Sequence, residues 1–407
     1  MVSEELKDTL ILSIIGYIVS LGQALISPIL PLYALSFGVT VAMVGLLIAS
    51  TSVARVFLDI PAGLVSDRLG VKRFMIIGLF IVAVSALISG MAVDYWMLLF
   101  GLVLQGVGSA IYLTVSYIAI SRVVPRQKRG KHMSLYVSLQ FLGSSTGPIL
   151  GGIVAQLFGL NVPFFFYAAF VLVSIPVLWS EVRKAEVEST DVMQKRIEPG
   201  KIDLILRNYT LMAINISLLA ISLLRNGLLL TIVPLFAYNE LKLSPSLLGA
   251  ILTFSAVANF LPLLPAGALS DKVGRKVFML ASLLMSAGII VLLPFTSDAL
   301  SFTALMVALG FALGLTGSIG AWVTDVAQPA QLGTAMGVFR TVGDLGSLIG
   351  PILLTFLLGP TKAIGALPFL VTALVLLGAT AIVTRARDPA RERARNRRSV
   401  VDPRGRP

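Results

Sequence analysis

Five charged side chains lie inside long apolar stretches of the sequence: Arg55, Asp59, Arg225, Arg340 and Asp344. On insertion scales each costs roughly 2.5 to 3.5 kcal/mol at the centre of a membrane helix, so residues of this kind mark function. Arg55 and Asp59 share the spacing i, i+4 with Arg340 and Asp344, which puts each pair on one helix face. Two arrangements satisfy the set. Either each helix holds its own ion pair, or Asp59 meets Arg340 and Arg55 meets Asp344 in a neutral quartet across two helices. Burial favours the neutral form of a carboxyl and an arginine neighbour the ionised form, so Asp59 and Asp344 are the carboxylates best placed to load a coupling proton. Arg225 stands alone. It reads either as an attractor for an anionic substrate or lipid-like headgroup, or as a pin hydrogen-bonded to backbone carbonyls.

Other chemistry finds no residues. The chain has no cysteine, which excludes disulfides, thiolate metal sites and cysteine nucleophiles. Its one histidine, His132, falls in a basic loop without ligand partners, so no metal site is expected. The run "GVGSAI" sits inside an apolar helix with no strand before it, which is the wrong setting for a dinucleotide loop. The sequons at Asn208 and Asn215 fall at a helix start and within a helix. No nucleophile and base combine, so the chain is not expected to be an enzyme and no cofactor is implied beyond a coupling proton.

The elements that must carry these charges are membrane helices. Hydrophobic residues make up 57% of the chain, charged ones 13%, and the mean hydropathy is +0.93, outside the range of soluble domains. A bilayer-spanning helix needs about 20 apolar residues. Twelve such stretches occur, at 10–35, 41–65, 74–93, 96–121, 133–158, 162–180, 208–238, 245–267, 278–297, 300–324, 334–358 and 363–384. The first is too long for a cleaved signal peptide and is expected to stay as helix 1.

The net charge of +12 would suit nucleic acid, but its placement does not. With the amino terminus inside, 27 of the 32 lysines and arginines fall on one membrane face, and only Lys242 and Lys362 on the other. That asymmetry is the positive-inside pattern, and it predicts an even helix count, both termini cytoplasmic and a place in the cell membrane. The basic tail is expected to touch anionic lipid.

The chain also repeats itself with a period of about 204 residues. "GLVSDRLGVKR" at 63–73 returns as "GALSDKVGRKV" at 267–277, "PLYA" at 31–34 as "PLFA" at 234–237, and "GPIL" at 147–150 and again at 350–353. Gly45 and Pro61 likewise match Gly249 and Pro265. Six helices between copies put both phrases on one face, so the halves are parallel repeats. The expected divisions are a six-helix bundle at 1–180, a cytoplasmic linker at 181–207, a second bundle at 208–384 and a basic tail at 385–407.

On these features the chain resembles the major facilitator superfamily along almost its whole length, which implies an all-α membrane fold of twelve helices in two six-helix bundles. The repeated phrase is similar to that family's signature loop, carried by Gly63, Asp67, Arg68, Gly70, Lys72 and Arg73, and by Gly267, Asp271, Lys272, Gly274, Arg275 and Lys276. The resemblance implies a gating role, holding the cytoplasmic side shut in the outward-open state. Val71 stands where the family usually has a basic residue. Physically, the glycine at the end of helix 2 would admit a neighbouring backbone. Gly70 would take a turn's positive φ, Asp67 would face the positive amino end of a neighbouring helix, and the basic residues would stay among headgroups.

"GSSTGPILGG" at 143–152 is similar to the antiporter motif of the drug:proton efflux branch, with Gly143, Gly147, Pro148, Gly151 and Gly152 in place. Gly-rich spacing predicts a tight helix contact, for sliding or for ordinary packing, since "GDLGSLIGPILL" at 343–354 gives helix 11 a similar face. The family's central cavity, lined by helices 1, 4, 7 and 10, would here present Gln23, Gln105, Tyr112, Arg225, Asn226 and Trp322, with the two aromatics stacking on flat substrates. Gln23 corresponds to Asn226 under the repeat. Two departures concern coupling: helix 1 lacks an acidic residue in its core, and Leu102 replaces the arginine of the family's helix 4 motif.

The expected function is proton-coupled efflux of hydrophobic or amphipathic small molecules by alternating access. The expected partners are the substrate and membrane lipid, and the expected state is a monomer. Alternatives are an importer or uniporter of a small, anionic metabolite, and a non-transporting receptor on the same fold.

Overall fold

The computed structural model describes residues 4–124, 128–181, 207–328, 331–358 and 364–388. The expected linker and tail lie outside the described residues except at their edges. Every regular element is helical among the described residues, and the twelve expected spans are all present as helices. Eleven are long and apolar enough to cross a membrane, and the twelfth is a shorter apolar helix, Leu367–Val383.

Numbered by span, they are α1 Glu4–Ile26, α2 Val41–Leu69, α3 Val71–Gly90, α4 Tyr95–Val123, α5 Arg129–Phe158 and α6 Val162–Glu181. Then come α7 Tyr209–Ser222, α8 Pro245–Val273, α9 Arg275–Leu292, α10 Ala299–Gly314, α11 Leu332–Phe356 and α12 Leu367–Val383. With no hydrocarbon-exposed backbone tolerable in a membrane, helices that satisfy their own amides are the required solution. Asp94, Asn208 and Asp298 cap α4, α7 and α10 by accepting amide bonds, for example Met97 N–H to Asp94 at 2.8 Å.

The span 10–35 is not one helix. After Ile26 a turn intervenes and Leu30–Ser36 resumes, with Pro31 in its first turn. Its repeat partner solves the same problem differently: α7 runs on as a π-helix, Leu223–Ile232, and then as Val233–Asn239 with Pro234 near the start. A proline lacks the amide that a preceding carbonyl needs and crowds that carbonyl, so the chain widens or breaks just before it.

Contacts divide the chain into two compact units. Unit 1 comprises Met1–Asp191, Leu229–Thr253 and Pro351–Ile364; unit 2 comprises Val192–Leu228, Phe254–Gly350 and Gly365–Pro407. In unit 1, α1 packs along α5 and α6, and α4 along α2 and α3. Its buried cluster runs through Leu12, Leu79, Leu98, Tyr112, Val115, Tyr136 and Phe164. In unit 2, α9 packs on α12 and α10, and α12 on α7.

Candidate functional site

In unit 1 the glycine face of α5 lies against α1. A methyl at Gly147 would stand 2.8 Å from the Leu21 carbonyl, and methyls at Gly143 and Gly151 would overlap the Tyr17 and Leu25 carbonyls. The three contacts step along α1 at intervals of four residues, so the two backbones are in direct contact over two turns. Gly152 faces Pro245 of α8 instead, and Gly249 of α8 returns the contact on Pro148. The Ile149 amide, just after Pro148, donates to Thr253 Oγ1 at 3.1 Å. Gly45 of α2 meets Pro351 and Thr355 of α11 in the same way. Pro245, Gly249 and Thr253 lie at or near the start of α8 and Gly45 near the start of α2, each at the opposite end of its helix from the repeated phrase.

In unit 2 the glycine face of α11 repeats the arrangement against α7. A methyl at Gly346 would lie 2.6 Å from the Leu219 carbonyl, one at Gly350 would lie 3.0 Å from Leu223, and one at Gly227 would lie 2.6 Å from Gly350. Asn226 Nδ2 donates to Ser347 Oγ at 2.9 Å. Gly227 and Asn226 belong to the π-helical segment, so α11 grips α7 where its winding changes.

The second charged phrase is resolved in detail. Gly274 takes φ +115° between α8 and α9, as Gly70 takes φ +84° between α2 and α3, so both turns need glycine. Arg275 reaches Asp271 at 3.0 Å and also Asp325 at the end of the α10 span. Its side chain and that of Asp325 are 12% and 13% exposed, that of Asp271 62%. Lys276 donates from its amide to Asp388 at 3.0 Å and from Nζ to the carbonyls of Thr384 and Ala386. These two basic groups therefore bond within the protein. Lys72 sits 5.6 Å from the Trp179 ring, a cation–π contact inside unit 1. At Gly267, the counterpart of Gly63 in the second phrase, a methyl would meet nothing within 4 Å. The side chains of Asp59, Gly63, Asp67 and Arg68 lie outside the described residues.

Of the intramembrane charges, Arg55 donates to Ser52 at 3.1 Å, and its Nε is buried without an acceptor among the described residues. Arg340 is exposed. Asp344 is half-buried and has neither hydrogen bond nor ion pair among the described residues. The within-helix pair Arg340–Asp344 is thus not formed. Arg225 is exposed and also makes no hydrogen bond or ion pair among the described residues, which removes its reading as a carbonyl-bonded pin.

Three cavity candidates are core residues instead. Trp322 is 0% exposed and donates to the Arg387 carbonyl at 3.3 Å; Tyr112 is 1% exposed; Gln105 is buried. Gln23 is exposed and Asn226 half-buried. His132 is not in a loop either. It lies on α5, buried, with Nδ1 2.8 Å from Thr9 Oγ1 of α1. Of the sequons, Asn208 caps α7 and Asn215 is buried. Sequence reasoning missed Asp325 and Ser347; the signal for Asp325 was a lone carboxylate at the span end nearest the second basic phrase.

A family model described as Major Facilitator Superfamily matches residues 12–224 and 216–405. The chain is 26% identical over 360 residues to an uncharacterized MFS-type transporter of Methanocaldococcus jannaschii, covering 86% of this chain and 91% of that one. It is 26% identical over 347 residues to Multidrug resistance protein 2 of Bacillus subtilis, covering 83% and 85%. Quinolone resistance protein NorA of Staphylococcus aureus is 22% identical over 340 residues, covering 83% and 86%. A solved bacterial homologue of the human lysosomal transporter Spinster, inward-facing and unoccupied, superposes with TM-score 0.78 at 15% identity, covering 94% and 97%. The nucleoside transporter NupG superposes with TM-score 0.76 at 15% identity, covering 93% and 99%.

Proposed function

Because the chain belongs to the major facilitator superfamily and is a multi-pass membrane transporter, we propose that it exports hydrophobic or amphipathic small molecules in exchange for protons by alternating access. The observation that carries this reading is Asp344, a half-buried carboxylate inside an apolar helix with no partner among the described residues. Ionisable side chains within membrane helices mark ion pathways and proton relays. Its likeness to multidrug and quinolone resistance proteins supports efflux as the direction and drug-like molecules as the substrates.

The repeated phrases face the cytoplasm in this reading, following the positive-inside pattern. The glycine seams of α5 with α8 and of α2 with α11 then form the outer closure, and the Asp271–Arg275–Asp325 cluster belongs to the inner gate. Gln23 and Asn226 contribute to the substrate cavity, and Asp59 is the second proton candidate. No enzyme activity and no resident cofactor enter the cycle.

The test is dye efflux from proteoliposomes with an imposed pH gradient. Efflux that collapses with a protonophore, and loses its pH dependence in Asp344→Asn, is expected. Uptake indifferent to the protonophore would establish the uniporter instead, a reading that the unpaired Arg225 favours. No flux across a broad panel would leave a receptor.

A further inference from the structure

We infer that Arg225 is an anion-recognition site that binds the carboxylate or phosphate group of an amphipathic ligand. The inference rests on the transporter reading for what the site serves, but its evidence is local to α7. From Thr210 to Ala237 every residue of this helix is buried or half-buried except Arg225. A helix exposed to lipid would show a stripe of exposed apolar residues, as α6 does with Phe166, Val173 and Val177. One exposed position in an otherwise enclosed helix means that Arg225 opens onto an internal space. Arg225 is also 16 residues from the start of the 31-residue span Tyr209–Asn239, which is its middle.

A guanidinium at that depth is retained only where water, a carboxylate or backbone carbonyls compensate it. Neither of the last two is present, since Arg225 has no hydrogen bond or ion pair among the described residues. Its neighbours are fully engaged: Asn226 donates to Ser347 and to the Ser222 carbonyl, and Gly227 is pressed on Gly350. The π-helical winding is therefore fixed on the α11 side, and it presents a guanidinium that no group among the described residues engages. Planar oxyanions match that fork in two parallel bonds. π-Helical turns are rare and concentrate at functional sites. The apolar body of the ligand would lie along the aliphatic residues of the same helix.

The experiment uses the full chain in phosphatidylcholine nanodiscs and two probes, pyrene-1-butyrate and its neutral methyl ester, read by tryptophan-to-pyrene energy transfer above empty discs. Wild type is expected to bind the acid at least about 10-fold more tightly than the ester. Arg225→Gln should equalise the two, and Arg225→Lys should keep a reduced acid preference because it retains the charge but not the fork. Repeating the titration with phosphatidylglycerol in the discs separates the sources. Unchanged acid binding assigns the site to a transported molecule; acid binding weakened in wild type but not in Arg225→Gln assigns it to a phospholipid headgroup.

Equal binding of acid and ester by wild type, or saturable binding of neither, overturns the inference. So does an acid preference that survives in Arg225→Gln. Should Arg225→Gln fail to fold, an unchanged acid-to-ester ratio in Arg225→Lys overturns it in the same way. No gradient is needed, so wild type that shows pH-driven efflux but no acid preference sinks this site alone, and wild type that shows the acid preference but no efflux sinks the transport reading alone.

Discussion

Asn226 Nδ2 donates to Ser347 Oγ at 2.9 Å, and that hydroxyl passes a bond on to the Gly343 carbonyl at 3.0 Å. This short chain ties the π-helical part of α7 to α11. Hydrogen bonds between membrane helices couple by about 0.6 kcal/mol on average and about 1.7 at most. A double-mutant cycle of Asn226→Ala and Ser347→Ala, followed by thermal melting in detergent, should give a coupling in that range. A coupling of zero would mean that the two side chains do not act together.

Glycines in similar sequence settings should respond in opposite ways. Gly227→Ala places a methyl 2.6 Å from the Gly350 backbone, which has no side chain to move aside, and should destabilise by about 1–3 kcal/mol. Gly267→Ala meets open space within a helix and should be neutral or stabilising by up to about 1 kcal/mol. Melting temperatures of the two variants check the contrast, and unchanged efflux in Gly267→Ala would show that this phrase glycine is not a packing contact.

Arg275 has two carboxylate partners of unequal exposure. Asp325 is 13% exposed and Asp271 62%, so Asp325→Asn should cost about 1.5–3 kcal/mol and Asp271→Asn no more than about 1. Raising the salt concentration should erase the effect of the second and leave the first. Equal losses would contradict the burial difference.

The chain beyond α12 is held by unit 2. Lys276 Nζ binds the Thr384 and Ala386 carbonyls, Trp322 the Arg387 carbonyl, and the Arg387 amide donates to Thr210 Oγ1 at 3.1 Å. Trp322→Ala should cost about 3–5 kcal/mol, and Trp322→Phe, which keeps most of the packing and loses one bond, about 1. Truncation after Val383, which removes the Ala386 and Arg387 partners, should lower the melting temperature.

Asp298 caps α10 and its carboxyl is held below the usual carboxylate range, chiefly by the Ser301 amide and hydroxyl, against an opposing effect of desolvation, with the Leu300 amide lowering it further. A depressed folded value means that the cap contributes fully above the unfolded value of about 3.9 and is lost as pH falls through the folded one. Protection of the Leu300 and Ser301 amides, corrected for intrinsic exchange, should therefore be flat from neutral pH to about pH 4 and drop below it.

What could be read without coordinates follows from physics. Hydrocarbon length fixes the spans, and insertion cost makes Arg225 and Asp344 conspicuous, so both were found from the sequence. The positive φ of Gly70 was legible because a turn between two long helices needs it, and Gly274 takes the same role in the second copy of the phrase. Trp322, Tyr112 and Gln105 were assigned to a cavity and lie in cores, because helices that are apolar all round carry no stripe to tell one face from another. His132 was placed in a loop since basic residues precede it, yet α5 begins at Arg129 and buries it on Thr9. The π-helical segment had a trace in Pro234, whose missing amide predicts a defect upstream without saying which kind.

Gly70 is the sole residue between Leu69 and Val71, and Gly274 the sole residue between Val273 and Arg275. Adjacent Cα atoms are about 3.8 Å apart, less than the roughly 5.4 Å of one helical turn, so neither joint has the slack to let its two rods slip lengthwise by even a turn. α2 with α3, and α8 with α9, must therefore tilt as welded brackets, and a tug on either arm is felt by the other.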